Sequence, residues 1–237
     1  MLALNTRPAR PMARAVAGLL RAADLEPWAV EGLLDLGVER HPPGSLIEPS
    51  AERPSEAPQM KWLLDGWLCE ARVLPNGVRQ IFSFAVPGDV IEAPSSPRFR
   101  SVRAVTAVEC VDVADLLARA ANPDTFLCAV LRSLEQATER RYDHIARLAQ
   151  RSAQVRLASL LVELHERLCG AGLVRSDHLQ GDEFALPLRH EELADALGLS
   201  PVHVTRCLKS LREQGLLTMK FRRVSGFDRA GLEKLCV

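Results

Sequence analysis

Residues Arg189 to Gly215 read RHEELADALGLSPVHVTRCLKSLREQG, and this stretch decides the fold. Two short helical patterns flank a tight turn. The first spans about Arg189 to Leu197, with Leu193, Ala194 and Leu197 inward, and Gly198 breaks it. Ser200 is placed to cap the second helix, and Pro201 suits its first position, where no backbone N–H is needed. Val204, Leu208 and Leu211 share one side at helical spacing, and Gly215 ends the pattern. Small Ala194 permits close approach of the two helices. This is the pattern of a helix-turn-helix, whose second helix can enter a DNA major groove.

The opposite side of that second helix carries His203, Arg206, Lys209 and Arg212, with Pro201, Val202 and Thr205 near its start. An arginine there can donate two hydrogen bonds to guanine. Lys209 and Arg212 are better placed for phosphates. Leu216 to Lys220 and Val224 to Phe227 read as strands around Phe221-Arg222-Arg223, a basic hairpin or wing. Asp228 is expected to cap a last short helix. From Arg189 onward, nine Lys/Arg face six Asp/Glu, a surplus of +3. The plain alternative is a solvated two-helix hairpin. Capping, Gly turn, apolar spacing and wing together favour double-stranded DNA as the partner.

Upstream of this unit, Asn122-Pro123-Asp124 opens a helix expected to reach about Gln150, roughly 40 Å long. Leu127, Leu131, Leu134, Thr138, Arg141, Ile145 and Leu148 recur on it at alternating four- and three-residue steps, as in a coiled-coil seam. This predicts a homodimer, with Thr138 and Arg141 interrupting the seam to fix register or face a ligand. Packing on its own domain is the alternative. A second helix follows from Ser152 and is expected to stop at Gly170. Phe184 to Leu188 reads as a short strand.

Before residue 120 the chain is rich in Pro, Gly and short β-type runs. Ser45 to Ile47 is a strand candidate, and Ala51 to Gln59 a Pro-rich loop. Trp62 to Leu74 and Gln80 to Val86 flank Pro75-Asn76-Gly77, where Asn-Gly supplies the φ > 0 residues of a hairpin turn. Pro87-Gly88-Asp89 is another turn, and Val102 to Val113 a final strand. The fold class is therefore α+β: a β-roll, or jelly roll, then a long helix and a winged helix-turn-helix. The expected parts are an N-terminal extension with a helix (1–24), a sensory roll (25–118), a dimerisation helix (119–150) and a DNA-binding domain (151–237).

The chain has 237 residues, 47% apolar and 25% charged, with 30 basic and 30 acidic side chains. That composition excludes disordered, collagenous and disulfide-dense classes and a globally basic nucleic-acid coat. No apolar run approaches a membrane span, so no membrane partner is expected. The six cysteines form no CxxC pair, so no structural metal is expected. A cytoplasmic location and free thiols follow. The arginine-containing, acid-free start admits a transit-peptide reading, but Pro8 and Pro11 interrupt any long amphipathic helix, and a frayed end is favoured.

These residues resemble the Crp/Fnr superfamily of bacterial transcription regulators. Leu193-Ala194, Gly198-Leu199-Ser200, Val204-Thr205-Arg206, Leu208, Leu211 and Gly215-Leu216-Leu217 match its helix-turn-helix, and Arg156-Leu157 with Leu160-Leu161 match the preceding helix. Gly66, Asn76-Gly77, Arg79-Gln80-Ile81 and Pro87-Gly88-Asp89 are similar to its roll. The Ser-Pro-Val-His-Val-Thr-Arg version is similar to a subgroup common in alphaproteobacteria. The resemblance implies a homodimer, a two-fold-symmetric DNA site and control of RNA polymerase. It implies Arg206 as base reader, and phosphate contacts at Arg189 and His190, where the family usually has Thr or Ser at 189. Val202 replaces a second base-reading acid of the best-known members, so their operator does not transfer.

The effector pocket departs from the family. Cyclic-nucleotide binders carry Gly-Glu and then Arg-Ser/Thr-Ala around the phosphate. Here Gly88-Asp89 is followed by a shortened stretch to Arg100-Ser101, and Arg141 and Tyr142 stand where the central helix would contact nucleotide. cAMP is not expected, though a cyclic-nucleotide- or other ligand-dependent regulator of the same fold is the second reading. No cofactor is expected. Iron–sulfur ligation lacks the clustered cysteines, and His41, Cys69, His144 and His165 are isolated as haem ligands. Cys207, beside Arg206, is expected to pack beneath the recognition helix, with oxidative control of DNA binding as the alternative. A cupin-like metal enzyme would need about three ligands in the roll, and residues 30 to 118 hold one histidine, His41. No enzyme activity is expected.

Overall fold

The computed structural model describes residues 37–49, 58–94, 100–120, 122–150, 152–177 and 181–236. The expected extension at 1–24, residues 51–57 of the Pro-rich segment and residues 95–99 before Arg100 lie outside the described residues. No helix among the described residues is long and apolar enough to cross a membrane.

The roll consists of β1 (Glu39–His41), β2 (Gln59–Asp65), β3 (Leu68–Val73), β4 (Arg79–Ala85), β5 (Val90–Ala93), β6 (Ser101–Ala104) and β7 (Val108–Asp112). They form two antiparallel sheets, ordered β1-β7-β2-β5 and β4-β3-β6. Ile47, Leu63, Leu68, Val102 and Val108 fill the space between them.

Two expected strands prove to be pairs. The run from Trp62 breaks at Gly66, whose φ is +87° and where an added Cβ would lie 2.1 Å from the Ala107 carbonyl oxygen. The run from Val102 breaks at 105–107, so that β6 and β7 join different sheets. Both breaks occur where one turn packs on the other, a tertiary contact that the local pattern does not carry. Ser45 to Ile47 contributes only an isolated bridge, Leu46 to Arg103, and the strand lies earlier, at β1. In the β3–β4 hairpin the left-handed residue is Gly77 alone; Asn76 instead accepts the Val78 N–H through its side chain at 3.1 Å.

Helix α1 (Val113–Arg119) leads to α2 (Pro123–Ala149). Asn122 caps α2 by accepting the Thr125 N–H, and Pro123 takes the first turn. Phe126 and Val130 of α2 pack on Trp62, Val90 and Val111 of the roll. Helix α3 (Ala153–Gly170) is capped by Ser152. It runs through Gly170, and the chain turns at Ala171-Gly172.

The C-terminal unit comprises β8 (Val174–Arg175), β9 (Asp182–Ala185), α4 (His190–Leu197), α5 (Pro201–Glu213), β10 (Thr218–Lys220), β11 (Arg223–Phe227) and α6 (Arg229–Leu235). Its sheet runs β10-β11-β9-β8. The expected strand at Phe184 begins two residues earlier, at Asp182. Leu161, Leu164, Leu193, Leu208 and Leu211 form its core, and that core continues into Trp67, Ile81 and Phe84 of the roll. Arg79 of β4 pairs with Asp195 of α4 at 2.6 Å across the same junction.

Candidate nucleic-acid interface

The two-helix unit forms as its residues dictate. Gly198 takes φ +62° to turn the chain out of α4, and Ser200 accepts the His203 N–H at 3.2 Å to start α5. Val204, Cys207, Leu208 and Leu211 are buried beneath α5. Pro201, Val202, His203, Thr205, Arg206, Lys209 and Arg212 are exposed on its outer face. Among the described residues none pairs with Arg206 or Arg212, so their donors point to solvent. Lys209 makes only a loose contact with Glu213, at 3.7 Å.

Thr205 links the two helices at this face. Its hydroxyl donates to the Pro201 carbonyl, and its oxygen lies 3.0 Å from His190 Nδ1. The hydroxyl proton is committed, so the imidazole donates in return. Arg189 supplies no side-chain cap. Glu192 instead reaches back to the Arg189 N–H at 2.6 Å and holds the Arg189 guanidinium at 2.9 Å. Cys207 lies in the core, and burial pushes its thiol pKa up, as an inert packing residue requires.

The wing turn is a two-residue loop between Lys220 and Arg223. Phe221 and Arg222 both take positive φ, 49° and 58°, the conformation that a tight hairpin of this length needs and that non-glycine residues adopt at a cost of about 1–2 kcal/mol each. Phe221 stands 97% exposed at the tip, a feature the charge pattern of the wing did not signal. Arg222 is exposed beside it. Arg223 is placed differently: it lies in β11 and pairs with Glu183 of β9 at 2.9 Å.

On α2, Leu127, Leu131 and Ile145 are exposed, Leu131 by 55% and Ile145 by 65%. Leu134 and Arg141 are half-buried on the flank facing the roll, and Leu148 is half-buried near Gly198 of the C-terminal unit. The exposed stripe passes through Thr138 and Tyr142, the latter 67% exposed. One face of the helix therefore packs on its own roll and another stands open.

A cavity of about 270 Å³ lies between the roll and α2. Glu70, Asp89, Arg100, Thr138, Arg141 and Arg167 contribute to its wall. Three of the sequence-selected residues are not brought there. Tyr142 points to solvent. Ser101 donates to the Ala71 carbonyl at 3.2 Å. Gly88 lines a separate space of about 160 Å³ and offers its carbonyl to Trp62. Thr138 and Glu70 occupy the wall instead. Glu70 Oε1 accepts from Arg100 at 3.1 Å, and its Oε2 accepts from Arg141 and from Ser83 at 3.1 Å each. Asp89 pairs with Arg140 at 3.2 Å and with Arg167, which in turn pairs with Glu163 at 3.0 Å. Each cation that a ligand phosphate would seek already has a carboxylate. Glu70 was missed because its partners stand 30 and 71 residues away.

Residues 155–235 match the Crp-like helix-turn-helix domain. The chain is 32% identical over 168 residues to the nitrogen fixation regulation protein FixK of Azorhizobium caulinodans, covering 69% of this chain and 66% of that relative. It is 30% identical over 187 residues to the protein of the same name from Bradyrhizobium diazoefficiens, covering 73% and 72%. In fold it is similar to FixK2 from Bradyrhizobium japonicum, with a TM-score of 0.66 at 22% identity over 85% of this chain and 97% of that one.

Proposed function

This chain belongs to the Crp/Fnr family of DNA-binding transcription regulators, and from that premise we propose that it works as a homodimer on a two-fold-symmetric site, contacts RNA polymerase there and needs no cyclic nucleotide. The family is one of regulators, not of enzymes. The observation that carries the proposal is a pair of open surfaces on one chain. The base-reading face of α5 is exposed with Arg206 unpaired among the described residues, and the apolar stripe of α2 is exposed as well. Pairing two chains through Leu127, Leu131 and Ile145 would cover that stripe and present two recognition helices related by symmetry.

Within each half-site, Arg206 reads a base, with Val202, His203 and Thr205 near the same edge. Arg189, His190, Ser200, Pro201, Lys209, Arg212 and Arg222 stand at positions suited to the DNA backbone and its approach. Arg223 serves the wing sheet through Glu183. Independence from cyclic nucleotide is supported by Glu70, whose carboxylate occupies the donors of Arg100 and Arg141.

The second reading, control by a small ligand, is favoured by the cavity itself, which is open enough to admit one. The deciding experiment is selection of fragmented genomic DNA by the purified, ligand-free protein, with its mass in solution measured in parallel. A shared symmetric sequence bound by a dimer supports the proposal. A dimer that enriches nothing until a ligand is added supports the second reading.

A further inference from the structure

Near the end of α3, His165 and Cys169 stand one helical turn apart, and Asp182 opens β9 opposite them. His165 Nε2 is 2.6 Å from Asp182 Oδ2 and 3.6 Å from Cys169 Sγ. The three ligand-type atoms all lie within 4.8 Å of one another. The imidazole is buried and fixed, stacked on Phe227 at 4.5 Å and tilted against Phe184 at 5.5 Å. Cys169 is exposed, so one side of the cluster is open to solvent.

We propose that His165, Cys169 and Asp182 bind Zn²⁺, with water at the fourth position. Imidazole nitrogen, thiolate and carboxylate are the donors zinc takes, with bonds of about 2.0–2.3 Å. Tetrahedral angles at those lengths place donor atoms roughly 3.4–3.6 Å apart. The nitrogen–sulfur separation already fits. The nitrogen–oxygen separation must open by somewhat under about 1 Å, a shift that binding requires of the Asp182 side chain, which is partly exposed.

Binding sends the Cys169 thiol proton to solvent and moves the proton that His165 Nε2 donates to Asp182 onto Nδ1, so that the metal-bound imidazole is neutral. The charges acting on the thiol are Asp182, Arg229 and Glu166. Two carboxylates thus face one guanidinium, and Arg229 is itself paired with Glu233 and Glu166. Among the described residues, another grouping of ligand-type side chains, Glu39, His41 and Cys110, differs in this respect. Lys61 already places an ammonium 2.6 Å from Glu39 there. A bound ion at His165 would join α3 to β9 and so brace the sheet that carries the wing.

The test uses the full chain freed of metal, titrated first with Co²⁺ and then with Zn²⁺. One Co²⁺ per chain is expected, with a thiolate-to-cobalt charge-transfer band and the visible bands of a tetrahedral site, and Zn²⁺ should displace it. Cys169→Ser should abolish the charge-transfer band and weaken binding at least about tenfold. Asp182→Asn should weaken it while keeping the band. Zn²⁺ should raise the melting temperature of the wild type and not that of Cys169→Ser. Because Cys169 is exposed, its serine variant keeps the fold and decides the matter alone if Asp182→Asn does not. A band that survives Cys169→Ser, or no saturable binding by the wild type, overturns the site.

Discussion

Glu70 and Arg141 meet at 3.1 Å, and that contact joins β3 of the roll to the helix that leads toward the DNA-reading unit. The same carboxylate holds Arg100 at 3.1 Å, so one acid balances two cations at the wall of the cavity. Glu70→Gln should strip Arg141 of its counter-charge and leave Arg100 with Glu92 alone, at 2.9 Å. Calorimetry with cAMP or pyrophosphate should show no heat for the wild type and measurable binding for the variant. The variant should also lose about 1–3 kcal/mol of folding stability in urea, the cost of leaving charged donors poorly paired. A variant that stays indifferent to anions would remove Glu70 as the group that closes this site to phosphate.

Three arginines, Arg206 on α5, Arg222 at the wing tip and Arg223 in β11, should behave differently. Arg206→Ala should cost about 1–3 kcal/mol per half-site on the selected sequence and almost nothing on random DNA. Arg222→Ala should weaken both equally and flatten the salt dependence by about one counter-ion. Arg223→Ala should change binding least and act through loss of its Glu183 pair. Fluorescence anisotropy over a salt series separates the three. Equal losses for Arg206→Ala on both DNAs would reduce it to a phosphate contact.

Leu131→Glu places a charge at the centre of the open stripe on α2. Each leucine buried in a partner contributes about 1.5–3 kcal/mol, so the dimer should dissociate at least about tenfold more readily. Sedimentation should show monomer at concentrations where the wild type is dimeric, with unchanged helix content by circular dichroism. A variant that remains fully dimeric would place the interface elsewhere.

His144 lies buried on α2 with its Nδ1 3.3 Å from Arg147 Nη1. A guanidinium only donates, so Nδ1 accepts and the ring is neutral. Burial, and then the Arg147 charge, hold its pKa below the usual value. The folded protein therefore resists protonation that the unfolded chain accepts. Stability is full above pH of about 6.5 and falls on acidification through the lowered folded value. Urea midpoints between pH 7 and 5 should decline for the wild type, and His144→Gln should remove part of that slope. An identical slope in both proteins would assign the acid sensitivity to other groups.

The C-terminal unit was legible because its instructions are local. Ser200, Pro201 and Gly198 act within a turn or two of where they stand, and the helices begin and end there. The roll was less legible. Gly66 ends a strand because the turn after β6 packs against it, more than 35 residues onward, and no periodicity announces such a meeting. The α2 stripe reads as a seam, but only the structure separates Leu131 and Ile145, which stand open, from Leu134, which leans on the roll, and Leu148, which lies near Gly198. Glu70 carried no local signal at all. Its effect comes from two arginines that other elements deliver to it.

The apolar core that runs from Trp67, Ile81 and Phe84 into Leu161, Leu193 and Leu208 bears on how this protein can be rebuilt. The roll and the winged unit are not separable cassettes. A chimera cut near residue 150 would bare the underside of α4 and strand Asp195 without Arg79. Any transplant of the reading head to a new sensor must take the β3–β4 hairpin along, or redesign the surface that it covers.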